Sequence, residues 1–243
     1  MRKYSPVPNP LRLRFALRPL ATAAMAAAVL LFAALGHWQL GRAGEKRVLH
    51  EEFSRAGPAL LLPPAAVPAE RYQRVSARGS YDPGHQFLLD NMAHAGRAGM
   101  HVLTPLLLAD GSAVLVNRGW LPFGSTRASL PEIPVGAEPR TVTGRVDRLP
   151  RPSVELAAPP ARGWPRLTSF PHMQELADAL QRELRPQLIL LDAREPDGYL
   201  RDWRVPGTSP ERHLGYAIQW FAFAVTAVAI WFALGLRRDG ENT

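Results

Sequence analysis

The sequence predicts an α+β fold in which a membrane hairpin of two terminal helices encloses one mostly antiparallel β domain. Three observations predict it. Two apolar stretches without Asp, Glu, Lys or Arg lie near the ends of the 243-residue chain, at Leu20–Leu40 and Leu214–Leu236. The segment between them carries several strand-like runs separated by turn residues. It also carries one clear amphipathic helix pattern, at Pro171–Leu184.

Each apolar stretch is long enough to cross a bilayer, since about 20 helical residues span a hydrocarbon core of about 30 Å. Two alternatives stay open at this point. The first stretch is also compatible with a cleaved signal peptide, and the second with a buried core helix. The division we predict is a basic tail over 1–19, a transmembrane helix over 20–40, a large domain over 41–213, a second transmembrane helix over 214–236 and a short tail over 237–243.

The charges beside the two stretches predict the orientation. Residues 1–19 contain five basic residues and no acidic one, and Arg237 and Arg238 directly follow the second stretch. Lys and Arg next to a span are retained on the cytoplasmic side. We therefore expect both tails in the cytoplasm of a bacterium and the large domain on the periplasmic side of its inner membrane. Membrane lipid is then a partner.

The net charge does not indicate a nucleic-acid partner. The formal net charge of +8 comes in part from the basic tail, and the other Arg residues are scattered among Asp and Glu. A nucleic-acid interface needs clustered basic residues on one face. We expect no nucleic acid among the partners.

The central segment predicts six strands. Turn residues such as Asp82-Pro83-Gly84, a Gly-containing turn at Ala95–Gly99 and the Asp110-Gly111 pair separate them, and Asp-Gly between apolar runs is a hairpin signal. A Pro- and Ala-rich connector over Gly57–Ala69 precedes the strands, and a Pro-rich loop covers Leu149–Pro165. The six runs are Tyr72–Ser80, His85–Asn91, Met100–Leu108, Ser112–Arg118, Arg140–Asp147 and Gln187–Asp192.

The helix over Pro171–Leu184 has apolar residues at helical spacing and polar residues elsewhere. Ser169 is its expected N-cap, with Pro171 in the first turn. One helix packed against an antiparallel sheet completes the α+β arrangement.

The sequence contains no motif of a known catalytic site. It has no cysteine, which excludes disulfides, zinc thiolates and iron–sulfur clusters. Nucleophile-elbow, P-loop, dinucleotide and zinc-protease motifs are missing. His85, His94 and His101 have no metal-ligand spacing, so we interpret them as surface or turn residues, although a hairpin can bring them together. We expect a protein that is not an enzyme, with no catalytic residue and no metal site.

The segment Asn117–Trp120 (NRGW) has two interpretations. Exposed Arg and Trp side chains are typical of interface hot spots, so the segment can be a partner-contact loop. The favoured interpretation is a strand end with a Gly turn and a Trp packed on the sheet.

Several segments together resemble the Surfeit locus protein 1 family, which are assembly factors for cytochrome c oxidase. The resemblance runs from about residue 35 to the end of the sequence. Glu211 and Arg212 depart from it, because the family often has two Asn before the His of its second span. The matching segments are Leu35–Leu40 with Arg42 and Lys46, Tyr72–Gly79 with Tyr81-Asp82, Val102–Leu106 with Asp110-Gly111, Val114–Pro122, and His213-Leu214 with Tyr216-Ala217 and Trp220-Phe221.

The resemblance implies a non-enzymatic role in the assembly of oxidase subunit I, together with other assembly factors. Some bacterial members are linked to the delivery of haem a. His213, at the outer mouth of the second span, is then a candidate haem ligand, since neutral imidazole is a good axial ligand of iron. His37, at the outer end of the first span, is a candidate second ligand. The side chains expected to pack beside a macrocycle are Tyr216, Ala217, Trp220 and Phe223.

An alternative without a ligand stays open for these residues. Histidine and aromatic side chains at the end of a span are also typical of the headgroup region. In that interpretation the chain is a generic membrane-tethered periplasmic binding module for another envelope complex.

Overall fold

The structure is a computed structural model of the 243-residue chain. It forms two compact units. One unit combines Met1–Glu52 with Val205–Thr243 and contains two long helices, and the other is Phe53–Arg204 and contains the β domain. The described residues are 13–15, 18–55, 57–67, 69–124, 130–150 and 163–238.

Ten strands and three helices are present in the described ranges. In chain order they are β1 (Leu13–Phe15), α1 (Pro19–Ser54), β2 (Leu60–Leu61), β3 (Arg74–Tyr81), β4 (Phe87–His94), β5 (Arg97–Leu108), β6 (Ala113–Pro122), β7 (Arg140–Asp147), β8 (Arg166–Thr168), α2 (Met173–Leu180), β9 (Leu184–Leu191), α3 (Pro210–Gly235) and β10 (Leu236–Arg238).

Helices α1 and α3 are both long and apolar enough to cross a membrane, so the chain is a membrane protein. In the most apolar 18-residue window of each helix, only 6% of the residues are buried. A core helix of a soluble domain would be mostly buried, so the core-helix alternative for the second stretch does not hold. Helix α1 continues past Leu40, the predicted end of the first span, to Ser54.

The two long helices pack along a seam with a seven-residue repeat. Steps of three and four residues alternate on both helices, which is the spacing of a two-stranded coiled coil. The α1 residues at this spacing are Thr22, Met25, Val29, Phe32, Gly36, Gln39, Ala43, Lys46 and His50. Their counterparts on α3 are His213, Ala217, Trp220, Ala224, Ala227 and Trp231. All of these side chains are buried or half-buried.

Contacts along the seam show that the helices run antiparallel. Near one end, the indole N–H of Trp231 donates to Thr22 Oγ1 at 3.0 Å. Further along, the Phe32 ring stacks on Trp220 with centroids 5.8 Å apart. Beyond that, a Cβ added to Gly36 would lie 2.8 Å from the Phe221 ring, so glycine permits the close approach. This packing favours a retained first span over a cleaved signal peptide.

Five strands of the β domain close into a barrel. Their order is β3–β7–β9–β6–β5, and β5 pairs again with β3. The β6–β9 pair is parallel and the other four pairs are antiparallel. The closing pair joins Gly79–Tyr81 to Leu106–Leu108. A Cβ on Gly79 would lie 2.3 Å from the carbonyl oxygen of Leu107, so the closure requires glycine there.

The remaining strands extend the barrel at its edges. The first part of the 12-residue strand β5 pairs with β4, on the same edge that later pairs with β3. Strand β8 adds to β4 in parallel, and β2 adds to β3 in parallel. Side chains of β6 alternate between two apolar clusters, as the period of two requires. Val114 and Val116 face the cluster that includes Val75 and Ile189, whereas Leu115 faces the cluster under α2.

The six predicted strands are confirmed as β3 to β7 and β9; β7 has the predicted bounds, and the other five differ at one or both ends. The turn predicted over Ala95–Gly99 is shorter, because Ala95 and Gly96 both have positive φ and β5 begins at Arg97. In the connector, Leu62 packs on the barrel core, but Leu61 is 83% exposed. Strand β8 was not predicted. The predicted loop over Leu149–Pro165 lies outside the described residues at 151–162.

The predicted helix is present but shorter. Helix α2 begins after His172, which is the N-cap instead of Ser169. It ends where Gln181 takes a left-handed conformation, with φ 50° and ψ 42°. Leu184, predicted as the last helical residue, is the first residue of β9. Its spacing fits the apolar face of the helix equally well, so periodicity alone placed it wrongly.

Candidate functional site

His213 lies in the first turn of α3. Ser209 is the extended N-cap, and Pro210 occupies the start of the helix, where its fixed φ is suitable and its missing N–H is not needed. Glu211 follows in the first turn. Glu211 and Arg212, which replace the two Asn of the resemblance, are both exposed.

The His213 imidazole is hydrogen-bonded to an amide of the other helix. Its Nδ1 lies 2.7 Å from Oε1 of Gln39. Gln39 is only 9% exposed and lies one turn from the buried residues Gly36 and Ala43 on the seam of α1. Because a carbonyl oxygen only accepts, Nδ1 carries the ring proton and donates it. The Nε2 lone pair makes no hydrogen bond to any residue in the described ranges.

The aromatic residues predicted beside His213 lie on different faces. Tyr216 is 46% exposed and lies on the flank of the seam. Trp220 lies inside the seam, stacked on Phe32 at an interplanar angle of 25° and edge-on to Phe223. The structure therefore places Tyr216 within one turn of the imidazole on an open surface. Trp220, two turns away, supports the packing of the two helices.

His37 is not brought to His213. It is exposed and precedes Gln39 by two residues. Two residues correspond to a rotation of about 200° around an α-helix. His37 therefore faces away from the helix that carries His213.

The residues present fit a haem group. A ligating imidazole needs a free nitrogen and a hydrogen-bond acceptor for its other N–H, and His213 has both. Beside it on α3, the exposed ring of Tyr216 is an apolar side chain that suits a flat macrocycle. Within the described part of the chain, no three His, Asp or Glu side chains are grouped to hold a metal ion.

The β domain has a separate polar cluster around the NRGW segment. Arg118 is 1% exposed, and each of its three nitrogens donates to an oxygen. Nε donates to the carbonyl of Asp197 at 2.7 Å, Nη1 to Oε1 of Gln86 at 3.0 Å and Nη2 to the carbonyl of Pro134 at 2.9 Å. Trp120 is also buried and donates its indole N–H to a backbone carbonyl. The packed interpretation of this segment is confirmed, and the partner-contact alternative is wrong.

Next to Arg118, Asn117 forms a second histidine–amide pair. Its Nδ2 lies 3.0 Å from Nδ1 of His101, and its Oδ1 accepts the backbone N–H of Gly119 at 3.1 Å. The second bond fixes the amide so that its NH₂ group faces the ring. Burial, reinforced by the charge of His94, lowers the pKa of His101 from 6.5 to about 4. His101 is therefore neutral at ordinary pH.

The three histidines of the hairpin region are not ligands of one site. His94 and His101 are close enough to interact electrostatically. His85 is elsewhere, paired with Asp82 at 2.8 Å and packed edge-on against Trp164.

Gln39 is the residue that the sequence reasoning missed. It lies within the matching segment Leu35–Leu40. A signal was available, because Gln39 is an uncharged polar residue inside the apolar stretch, three residues after Gly36 and four before Ala43. That spacing places it on the same helix face as two small residues, where a second helix can approach.

The chain matches a known family over most of its length. The model of the SURF1 family matches residues 26–225, which begin within α1 and end within α3. A SURF1-like protein of Monosiga brevicollis is 28% identical over 225 residues, covering 86% of this chain and 84% of the relative. Uncharacterized SURF1-like proteins of Mycobacterium bovis and Mycobacterium tuberculosis are each 31% identical over 231 residues, covering 89% of this chain and 83% of the relative.

A family match of this extent agrees with the order of the matching segments and with the two membrane-competent helices. The chain therefore belongs to the SURF1 family, a family of assembly factors associated with cytochrome c oxidase.

Proposed function

We propose that this chain is a membrane-anchored assembly factor that acts on subunit I of cytochrome c oxidase and holds haem a at His213 for delivery. Family membership supports the assembly role. The observation that carries the haem site is the His213–Gln39 pair, which leaves Nε2 of a half-buried imidazole unengaged at the end of a span. Subunit I and other assembly factors are the proposed partners.

The haem is the cargo of this protein, and it supplies the iron centre that the oxidase needs. His213 Nε2 would ligate it, and the exposed ring of Tyr216 would pack beside it. Trp220 acts at a distance, because its stacking on Phe32 holds α3 against α1 and thereby keeps the imidazole next to Gln39. No proton transfer by these residues is required for holding or releasing the group.

Substitution of His213 tests the haem site. Full-length His213→Ala protein, purified from haem-a-producing cells, should lose the haem absorbance of the wild type. Membrane insertion should be intact, because the apolar run from Leu214 is unchanged. Tyr216→Ala should weaken haem retention without abolishing it, since packing contributes less than the axial bond.

His37→Ala is the matched control, because it removes an exposed histidine at the end of the other span. It should retain the haem of the wild type. Unchanged haem content in His213→Ala protein would rule out ligation there. The generic membrane-tethered binding module would be the better interpretation if the wild-type protein showed no haem absorbance and subunit I failed to co-purify with it.

We also propose that the domain over 41–213 lies on the periplasmic side of a bacterial inner membrane. The acid-free basic tail supports this orientation. Reporter fusions at about residue 120 should read outside, and fusions after Arg238 should read inside. A cytoplasmic signal from the fusion within the β domain would contradict the orientation.

A further inference from the structure

Gln39 is a buried amide in a seam of mostly apolar side chains. A polar side chain in such a place is costly unless it is hydrogen-bonded. The bond from His213 Nδ1 to Oε1 of Gln39, 2.7 Å long, meets that requirement and joins residues 174 positions apart in sequence. The pair therefore joins the two long helices of the helix unit.

The direction of this bond determines which nitrogen of His213 is free. A neutral imidazole has one ring proton and two nitrogens, so the proton on one nitrogen leaves the lone pair on the other. An amide oxygen at Nδ1 favours the tautomer with the proton there. An apolar side chain at position 39 would remove that preference, and either nitrogen would then carry the proton.

We infer that Gln39 is a positioning residue of the haem site: its amide oxygen holds the proton on Nδ1 of His213, fixes the ring and leaves Nε2 for iron. The inference rests on the proposed haem function. The proton position itself is a property of the chain without haem, and it can be measured separately.

A purely structural role for Gln39 gives different expectations. Polar residues in a helix seam also set the register of the two helices. If that were the only role, any well-packed residue that restored the seam would restore the site. The inference instead requires a hydrogen-bond acceptor at this position, so Glu should replace Gln and Leu should not.

The experiment measures the ring proton directly. Full-length protein labelled with ¹⁵N-histidine is reconstituted without haem in lipid nanodiscs, and the His213 signals are assigned by their loss in His213→Ala. The wild type and Gln39→Glu should show the Nδ1–H tautomer. Gln39→Leu should show a mixture of tautomers or the Nε2–H form.

Gln219→Leu is the matched control, because Gln219 is an exposed amide on α3. It should leave the His213 signals unchanged. Haem retention should follow the tautomer, with a loss of about 10–100-fold in affinity for Gln39→Leu, the usual cost of losing the partner of a ligating histidine. Gln39→Glu should retain haem and shift its reduction potential downward, since a carboxylate makes the imidazole a stronger donor.

Two results would overturn the inference. One is a wild-type His213 with its proton on Nε2, and the other is a Gln39→Leu protein with an unchanged tautomer. Unchanged helix content by circular dichroism excludes misfolding as the cause of any difference. A wild-type chain that shows the Nδ1–H tautomer but binds no haem would overturn the proposed function, while proton placement by Gln39 would stand.

Discussion

The helix unit and the β domain each contain a histidine paired with a side-chain amide, and the two pairs have opposite polarity. In the helix unit, His213 Nδ1 donates to the amide oxygen of Gln39. In the β domain, His101 Nδ1 accepts from the amide nitrogen of Asn117. The free ring nitrogen therefore has a lone pair at His213, whereas at His101 the lone pair is used to accept the bond from Asn117.

The surroundings explain the difference in polarity. Asn117 is fixed by the backbone N–H of Gly119, and its neighbour Arg118 donates to oxygens from three other segments. Around His101 the polar groups are used for holding the fold together. At His213 a single hydrogen bond orients the ring and one nitrogen stays unengaged. The pair at His101 leaves a ring N–H, whereas the pair at His213 leaves a ring lone pair, so of these two rings only His213 presents a nitrogen that can act as a ligand.

Of the predictions that test this contrast, removal of the Arg118 guanidinium should have the largest effect on the free energy of unfolding. Arg118→Met keeps most of the side-chain volume but leaves the carbonyls of Pro134 and Asp197 without their donor, while Gln86 Oε1 keeps the hydrogen bond from Thr104 Oγ1. Each acceptor left without a donor costs about 1–3 kcal/mol, so the free energy of unfolding should fall by about 2–6 kcal/mol. Urea denaturation of the full chain in detergent, followed by circular dichroism, measures the loss.

Two other variants serve as controls for that measurement. Arg78→Met removes an exposed arginine of β3 and should change the free energy of unfolding by less than about 0.5 kcal/mol. His213→Ala should have about half the effect of Arg118→Met, since it leaves one buried acceptor, Gln39 Oε1, without its donor. Comparable losses for Arg118→Met and His213→Ala would contradict the contrast between the two regions.

The second prediction is that the free energy of unfolding depends on pH because of His101. Its pKa is lowered in the folded state to about 4 from 6.5, so the unfolded chain binds the proton first as the pH falls. Above pH 6.5 the His101 ring is neutral in both the folded and the unfolded state, so it does not reduce the free energy of unfolding. As the pH decreases from 6.5 toward 4, the free energy of unfolding falls. The loss is on the order of 3 kcal/mol, from about 1.36 kcal/mol per unit of pKa. Urea denaturation at a series of pH values measures it.

His101→Gln is the control for that measurement. Glutamine keeps an acceptor for Asn117 Nδ2 but does not titrate. The variant should lose the part of the pH dependence that lies between 6.5 and 4. An unchanged pH profile in His101→Gln would mean that other groups cause it.

Much of the fold follows from local patterns. The strand that became β7 was predicted with both of its ends, because Arg140–Asp147 alternates cleanly between apolar and polar residues. Strand β8 was missed because three residues after a Pro-rich stretch carry no periodicity. The closure of β3 onto β5 was also beyond the sequence. It depends on the absence of a Cβ at Gly79, and a lone glycine in a strand pattern does not reveal its neighbour.

Of the two paired residues in the candidate site, His213 was predicted from the sequence and Gln39 was not. His213 is visible as an ionisable residue at the edge of a span, and such residues are functional candidates. Its partner Gln39 is 174 residues away, on the other helix. Their pairing depends on the register of α1 and α3 along the seam. Trp220 was predicted beside His213, but its packing on Phe32 follows from the same register.

The positions of α1 and α3 at opposite ends of the chain set the order in which they are synthesised. Gln39 and His213 are separated by 174 residues. At about 5–20 residues per second, about 10–35 s pass between the translation of the two. During that interval the amide of Gln39 has no histidine beside it. A ribosome product that stops before α3 therefore has α1 and the β domain but lacks the hydrogen bond between His213 and Gln39.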